Sequence, residues 1–175
     1  MNRPLCTLLL AGLLAPPAAV MAQNAMPAPT LLFSPEMQTA LDRIYGDSEA
    51  ATLERTILDP VGVALRGTGC AGVARIEITL RDARPTHPTD QQIKANPALD
   101  RLRTRFAGGA AFSARLLDAA GGELKSLRYA WYALDDRHGS RAAEPWGDVR
   151  LASQGLGLQL ERECRALARA HPPGS

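Results

Sequence analysis

Lysine and aromatic residues are scarce in this sequence, and positive and negative charges nearly balance. Only two of the 20 basic residues are lysines, aromatic residues make up 5% of the 175 residues, and the formal net charge is +2. Without an excess of positive charge the chain lacks the electrostatic footprint of nucleic-acid binding, so no nucleic-acid partner is expected. Apolar residues make up 46% of the chain, which is enough to build the core of one globular domain.

Recognisable catalytic and metal-binding motifs are also missing. None of the three histidines has a second ligand at a spacing that defines a metal site. The Gly-x-Ser-x-Gly and Ser-x-x-Lys patterns of serine enzymes do not occur, and Gly108-Gly109 precedes a predicted strand, unlike the glycines of a phosphate-binding loop. The sequence therefore predicts no cofactor, no metal and no catalytic residue, and it favours a binding protein over an enzyme.

The first 22 residues have the three regions of a secretory signal peptide. An apolar run from Leu5 to Leu14 follows the basic Arg3, and Val20-Met21-Ala22 carries small residues at the positions that a signal peptidase recognises. The run is too short to cross a bilayer, and no cysteine lies at the cleavage point for a lipid anchor. We expect a signal peptide at 1–22, and no stable membrane span after its removal.

The mature chain is predicted to contain one domain between two disordered ends. Residues 23–30 are uncharged and contain prolines, as in a disordered leader, and residues 171–175 form a short tail. A single domain is expected over 31–170. Its net charge falls to +1 because Arg3 leaves with the signal peptide.

Two cysteines, Cys70 and Cys164, remain after the signal peptide is removed. An even number of cysteines in an exported chain favours a disulfide, since disulfides persist in oxidising compartments. The alternatives are two buried free thiols, or a reactive or metal-binding cysteine, although Cys70 has no histidine near it in sequence.

Three stretches have the alternation of β-strands. Apolar and polar residues alternate over 73–81, which predicts a strand with one buried and one solvated face. Strands over 111–117 and 124–134 flank an Asp-Ala-Ala-Gly-Gly turn and predict a hairpin. The connection before this hairpin is predicted to be irregular, with a basic helical turn or two over 98–106.

Helices are predicted at both ends of the domain. Ser34-Pro35-Glu36 is a helix-start pattern, and a second helix starting at Asp47 is expected to break or kink at Asp59-Pro60. The five residues after Pro60 are ambiguous between helix and strand. An amphipathic helix of about twenty residues follows Asp148, a predicted cap, and its Gly155 and Gly157 are expected where the helix approaches the sheet. Together these elements predict an α+β fold with a small antiparallel sheet of three or four strands and the terminal helices packed on one face.

Two polar segments are candidate sites. The proline-rich loop 82–90 carries Arg84 and His87 at a strand end, where a rigid scaffold displays binding groups, or else it is only a connection that its prolines stiffen. The second candidate is a cluster after the hairpin that can act as a cation site or an acid/base pair, or is only a solvated loop: Asp135, Asp136 and His138.

Several of these motifs together resemble a known type of protein. The signal peptide, the Asp82-Ala-Arg-Pro85 strand end, the Gly108-Gly109-Ala110 entry to the hairpin, the glycine turn after Asp118 and the Trp146-Gly-Asp148 helix start are similar to those of small secreted proteins of Gram-negative bacteria. These proteins are classed as domains of unknown function, and some of them are lipoproteins. The resemblance implies an envelope location and an α+β architecture, and it implies no catalytic residue.

The sequence thus favours a periplasmic or secreted binding domain whose partner is a protein or another envelope component. Its binding surface is expected to be the uncovered sheet face or the loop 82–90. The alternatives are a small periplasmic hydrolase that uses the acidic and histidine side chains of the two candidate sites, and a soluble inhibitor of an envelope or extracellular enzyme.

Overall fold

A four-stranded sheet with helices on one face forms the domain. The computed structural model describes residues 26–139 and 143–170. The strands are β1 (Thr30–Phe33), β2 (Arg75–Arg84), β3 (Gly109–Leu117) and β4 (Glu123–Tyr132), adjacent in that order. The helices are α1 (Pro35–Ala40), α2 (Glu49–Leu65), α3 (Asp90–Ala95) and α4 (Gly147–Ala170), and a π-helical turn over Leu41–Tyr45 continues α1. The predicted α+β class is confirmed, whereas the predicted signal peptide at 1–22 and the tail at 171–175 lie outside the described residues.

The sheet is mixed, because its first strand runs parallel to the second. β2, β3 and β4 pair antiparallel, as expected from the alternating pattern and the hairpin turn. β1 pairs in parallel with β2, from Thr30 opposite Glu77 to Phe33 opposite Leu80. The prediction of a wholly antiparallel sheet is therefore wrong for β1. Four residues are too few to reveal an alternating pattern, and the strand leads directly into the helix that Ser34 caps.

The helices α2 and α4 cover one face of the sheet and bury the apolar sides of β2 and β3 and part of that of β4. Ile76, Ile78 and Leu80 are fully buried, which confirms the predicted alternation of β2. From the helices, the fully buried side chains include those of Leu53, Ile57, Val61, Val149, Leu156 and Leu160. Burial of these apolar side chains is the main driving force for folding.

Helix α2 continues through Pro60 to Leu65, so of the two predicted outcomes at Asp59-Pro60, a break or a kink, the break does not occur. Proline removes one backbone hydrogen bond from a helix interior and crowds the carbonyl four residues earlier. Here the following turn is stabilised by packing, because Val61 is fully buried and Leu65 nearly so. The segment after Pro60, which the sequence left ambiguous, is helical because its apolar side chains pack against α4.

Helix α4 is held closely against the rest of the domain. The predicted disulfide is confirmed: Cys164, fully buried on α4, is bonded to Cys70 just before β2. Gly155 faces the hydroxyl of Tyr129 on the sheet, as predicted, but Gly157 packs against α2, where a Cβ would lie 2.9 Å from that of Ala64. The absence of a side chain at these glycines therefore lets α4 approach two different elements.

The connection between β2 and β3 differs from its prediction. The helix in it is α3, which begins earlier than the expected turns at 98–106. Thr89 caps this helix, since its hydroxyl accepts from the Gln92 N–H while the Gln92 side chain accepts from the Thr89 N–H. The capping box is a local signal for this helix, whereas the neighbouring prolines favour irregular structure. Residues 98–106 form turns and irregular structure without a helix.

Candidate functional site

The predicted binding loop is packed inside the fold at most of its positions. Arg84 is exposed, but residues 85–89 are buried and the His87 side chain is 3% exposed. The Nδ1 atom of His87 lies 3.0 Å from the Thr104 carbonyl oxygen. Because a carbonyl oxygen only accepts, this nitrogen carries the hydrogen. His87 thus fastens the two ends of the β2–β3 connection together, and a binding role for it stays a prediction.

A buried carboxylate, Asp148, joins this loop to the start of α4. Its Oδ2 accepts from the Gly108 N–H at 3.0 Å, and its own N–H donates to the Thr86 hydroxyl at 2.9 Å. Both Asp148 and Thr86 are fully buried. A Cβ atom on Gly108 or Gly139 would lie within 2.8 Å of the carboxylate, so glycine at both positions leaves room for it. The predicted capping position of Asp148 is wrong, because α4 begins at Gly147 and Asp148 lies within its first turn, where its carboxylate links α4 to the entry of β3.

The second candidate site, the cluster after the hairpin, is an exposed turn. Asp135 Oδ1 lies 2.6 Å from His138 Nδ1 and accepts from the Arg137 and His138 N–H groups. The bond to His138 and that from the Arg137 N–H lower the pKa of Asp135 to about 2. Asp136 is exposed and takes no part in these bonds. Within the described ranges no serine, threonine or cysteine side chain bonds to either member of the pair, so none of the described nucleophilic side chains is brought to it.

The sheet face opposite α2 and α4 is polar, and we call it the open face. Its side chains are exposed or half-buried, and they belong to Glu77, Thr79, Arg81, Asp82, Arg84, Ala111, Ser113, Arg115, Ser126, Arg128, Ala130 and Tyr132. At one end of this face, Arg115 lies between Glu77 at 3.4 Å and Glu123 at 2.8 Å. The pairing with Arg115 lowers the pKa of Glu123, and this end of the open face is internally neutralised.

The middle of the open face carries two arginines, of which Arg81 interacts electrostatically with the exposed Glu36 carboxylate. Ser113 on β3 lies directly opposite Arg128 on β4 and Thr79 on β2, and Arg81 follows Thr79 on the same strand. Within 26–139 and 143–170, neither Arg81 nor Arg128 forms an ion pair with a carboxylate. Arg81, Ser113 and Arg128 line a shallow depression of about 380 Å³, which the Arg115–Glu123 ion pair also borders. Two guanidinium groups beside a hydroxyl suit a carboxylate or phosphate group.

At the other end of the open face a tyrosine crosses the middle strand. Tyr132 on β4 lies opposite Gly109, where a Cβ would be 2.7 Å from the tyrosine ring. Because glycine leaves this space empty, the Tyr132 hydroxyl reaches β2 and donates to Asp82 at 2.6 Å. The Arg84 guanidinium carbon lies 4.7 Å from the ring centre. Partial burial and the bond to Asp82 raise the pKa of Tyr132, so this hydroxyl remains a donor.

Sequence reasoning recognised only part of the open face. The polar positions of β2, including Arg81, were recognisable from the alternation, but the contribution of Arg128 depends on the register between β3 and β4. The Tyr132–Asp82 bond spans 50 residues of chain. Its one local signal was Gly109, a glycine within a strand pattern, which indicates a close approach.

Comparisons with known proteins assign no function to the open face or to the two candidate sites. No known family, curated protein or solved structure matches the chain. No helix in the described ranges is long and apolar enough to cross a membrane. The same residues contain no group of three or more histidine, cysteine or acidic side chains arranged to hold a metal ion. The resemblance to secreted proteins of unknown function therefore remains a prediction.

Proposed function

We propose that the protein is a non-enzymatic binding domain whose open face recognises another component of the cell envelope. The observation that supports this most directly is the pair of arginines, Arg81 and Arg128, placed beside Ser113 without ion-pair partners in the described chain. Arginine is enriched in binding interfaces because its planar guanidinium forms several hydrogen bonds at once. The other conspicuous polar groups, His87 and Asp148, are buried and engaged in holding the fold together.

The proposed location is the periplasm or the cell exterior. The Cys70–Cys164 disulfide supports this location, because such bonds persist mainly in oxidising compartments. The signal-peptide pattern in residues 1–22 adds to it. Mass spectrometry of the protein purified from the cell envelope tests both points. We expect a chain that begins at Gln23 and contains no free thiol, whereas a full-length cytoplasmic chain with two thiols would refute the proposed location.

Site-specific photo-cross-linking in the source cells tests the binding role of the open face. A photoreactive residue at Ser113 is expected to form a discrete adduct with a partner. The matched control is Glu54, an exposed position on α2 away from the sheet, which should form none. Adducts from Glu54 alone, or none from Ser113 in the exported protein, would count against the open face as the binding surface.

The second candidate function is hydrolysis at the turn after the hairpin. The observation that favours it is the 2.6 Å contact between Asp135 and His138, since a carboxylate that orients an imidazole is one component of many hydrolytic sites. Activity towards a panel of chromogenic esters and phosphate esters, abolished by His138→Ala and retained in Asp136→Ala, would establish it. Equal background rates in the wild type and His138→Ala would remove this candidate.

A further inference from the structure

The two edges of the sheet differ in length and in protection. β1 has four residues and follows Pro27 and Pro29, both of which lack an amide hydrogen. β4 has ten residues and no proline, and no other strand of the described chain pairs with its outer side. A short edge next to prolines resists strand addition, whereas a long regular edge is a template for it. The β4 edge is therefore the side at which the sheet can be extended.

The register identifies which backbone groups of β4 point outward. The Ala133 N–H, just beyond β4, donates to the Gly108 carbonyl at 2.9 Å, in continuation of the pairing of Tyr132 with Gly109. Residues of an antiparallel strand point their N–H and C=O groups alternately towards the neighbouring strand and away from it. The N–H groups of Ser126, Arg128 and Ala130 therefore point away from β3. None of them has a hydrogen-bond partner in the described part of the chain.

The side chains beside this edge define what an added strand would contact. On the open face the neighbour is Arg128, exposed and without an ion pair in the described ranges, with Arg81 two strands away. On the helix side the neighbours are the half-buried rings of Tyr129 and Trp131. Successive side chains of a strand alternate between the two faces. An added strand would thus fit best with acidic residues on one side and apolar residues on the other.

A second copy of this protein fits the same edge poorly. Antiparallel pairing of two β4 strands about their centres would bring Arg128 of each copy close to Arg128 of the other. Like charges at neighbouring cross-strand positions are unfavourable. An acidic strand instead places a carboxylate opposite Arg128. The charge of the edge therefore favours a different, acidic chain as the partner.

We propose that β4 is the docking edge for an extended acidic segment of another protein, which adds a fifth strand to the sheet and places a carboxylate beside Arg128. This inference rests on the proposed binding function and specifies the chemistry of the partner. Main-chain hydrogen bonds to the outward groups of β4 would provide affinity, and the alternating side chains would provide specificity.

Peptide binding measured by fluorescence anisotropy tests the proposal on the intact mature protein. The probe is a short labelled peptide that alternates glutamate with valine. One matched control replaces glutamate with lysine, and another carries N-methyl groups on alternate backbone amides. We expect saturable binding of the glutamate peptide alone, with slower hydrogen exchange at Ser126, Arg128 and Ala130. Equal binding of the N-methylated peptide would overturn strand addition.

Two variants locate the peptide on β4. Ala130→Pro removes an outward N–H without removing a bond to β3, and Ala130→Val retains that N–H, so only the proline variant should lose binding. Arg128→Glu should weaken binding by roughly tenfold, whereas Arg43→Glu, an exposed site on the π-helical turn, makes the same charge change and should leave binding intact. If Ala130→Pro fails to fold, Arg128→Glu and the N-methylated peptide decide the outcome.

The possible failures of the two proposals are distinguishable. If Ser113 cross-links a partner but Ala130→Pro binds it as well as Ala130→Val does, the open face binds and strand addition is wrong. If neither Ser113 cross-linking nor peptide binding occurs, both proposals fail. If the β4 amides are protected without peptide and the molecular mass doubles with concentration, the edge pairs with a second copy and the acidic partner is refuted.

Discussion

The two ends of helix α4 are attached to the domain by different kinds of bond. Towards its C-terminus, Cys164 is joined covalently to Cys70, 94 residues earlier in the chain. At its start, Asp148 is held by hydrogen bonds to Gly108 and Thr86, 40 and 62 residues earlier. The covalent attachment mainly limits the freedom of the unfolded chain, whereas the hydrogen-bonded one compensates for the burial of polar groups. Helix α4 thus depends on two separable contributions to stability.

Removal of the disulfide is expected to have the largest effect. The double variant Cys70→Ser/Cys164→Ser should lose about 2–4 kcal/mol of unfolding free energy, because the unfolded chain regains the freedom of a long loop. Urea unfolding followed by circular dichroism measures the loss. Wild-type protein with reductant is the matched comparison and should show a similar loss. An unchanged urea midpoint in both samples would mean that the bond contributes nothing to equilibrium stability.

Removal of the carboxylate at the other end of α4 should have the next largest effect. Asp148→Ala leaves the Gly108 N–H buried without its acceptor, at a cost of about 1–3 kcal/mol. Asp148→Asn should cost less, since its amide oxygen can still accept from Gly108. Asp136→Ala, an exposed acid in the preceding turn, is the control and should leave the urea midpoint unchanged. Equal midpoints for Asp148→Ala and Asp136→Ala would contradict the proposed link.

The Thr86 hydroxyl should make a smaller contribution at the same end. Thr86→Val keeps the shape of the side chain but removes the acceptor for the Asp148 N–H, and we expect a loss of about 1 kcal/mol. Thr86→Ser, which retains the hydroxyl, should lose less. Combined with Asp148→Ala, the valine variant completes a double-mutant cycle in which the two losses should not add. Full additivity would show that the two residues stabilise α4 independently.

Some features of the fold depend on residues close together in the chain, and others depend on contacts between distant segments. This difference explains how much of the fold could be predicted from the sequence. The disulfide follows from counting cysteines after a predicted export signal, and the buried face of β2 follows from a pattern within a few residues. β1 is too short for such a pattern, and the helix through Pro60 depends on packing against α4. Local propensity cannot anticipate a helix that tertiary contacts stabilise. The class of fold was therefore predictable, and one parallel strand and one helix boundary were not.

The candidate sites divide in a similar way. The Asp135–His138 contact joins residues three positions apart, so the cluster was visible in the sequence. The burial of His87 and the position of Arg128 beside Ser113 depend on segments that meet only in the folded chain. Proline-rich loops usually lie at the surface, but this one is buried because Thr86 and His87 bond to two other segments. Sequence reasoning was thus most successful where partners are neighbours in the chain.

Disruption of the Asp135–His138 contact in the turn before α4 should have the smallest effect on stability. This change tests whether the turn helps to attach α4 to the domain. The folded-state pKa of Asp135, about 2, lies below the ordinary value near 4, so its contribution to stability is complete above that ordinary value. It is lost as the pH falls from about 4 to about 2, because the carboxylate then becomes protonated in the folded state as well. NMR titration should show this low midpoint in the wild type. His138→Ala removes the main cause and should raise the pKa of Asp135 towards its ordinary value.

The exposure of Asp135 limits how far this effect extends into the fold. Its bonds are local and screened by water and salt, so His138→Ala should leave the urea midpoint at neutral pH nearly unchanged. A matched titration of Arg137→Ala, which keeps the imidazole, should preserve the low pKa because the main bond is to His138. If His138→Ala instead lowered stability as much as Asp148→Ala does, the turn and the start of α4 would form one cooperative unit. The start of α4 would then be attached by an extended polar network that includes the exposed turn, while its other end is attached by the disulfide.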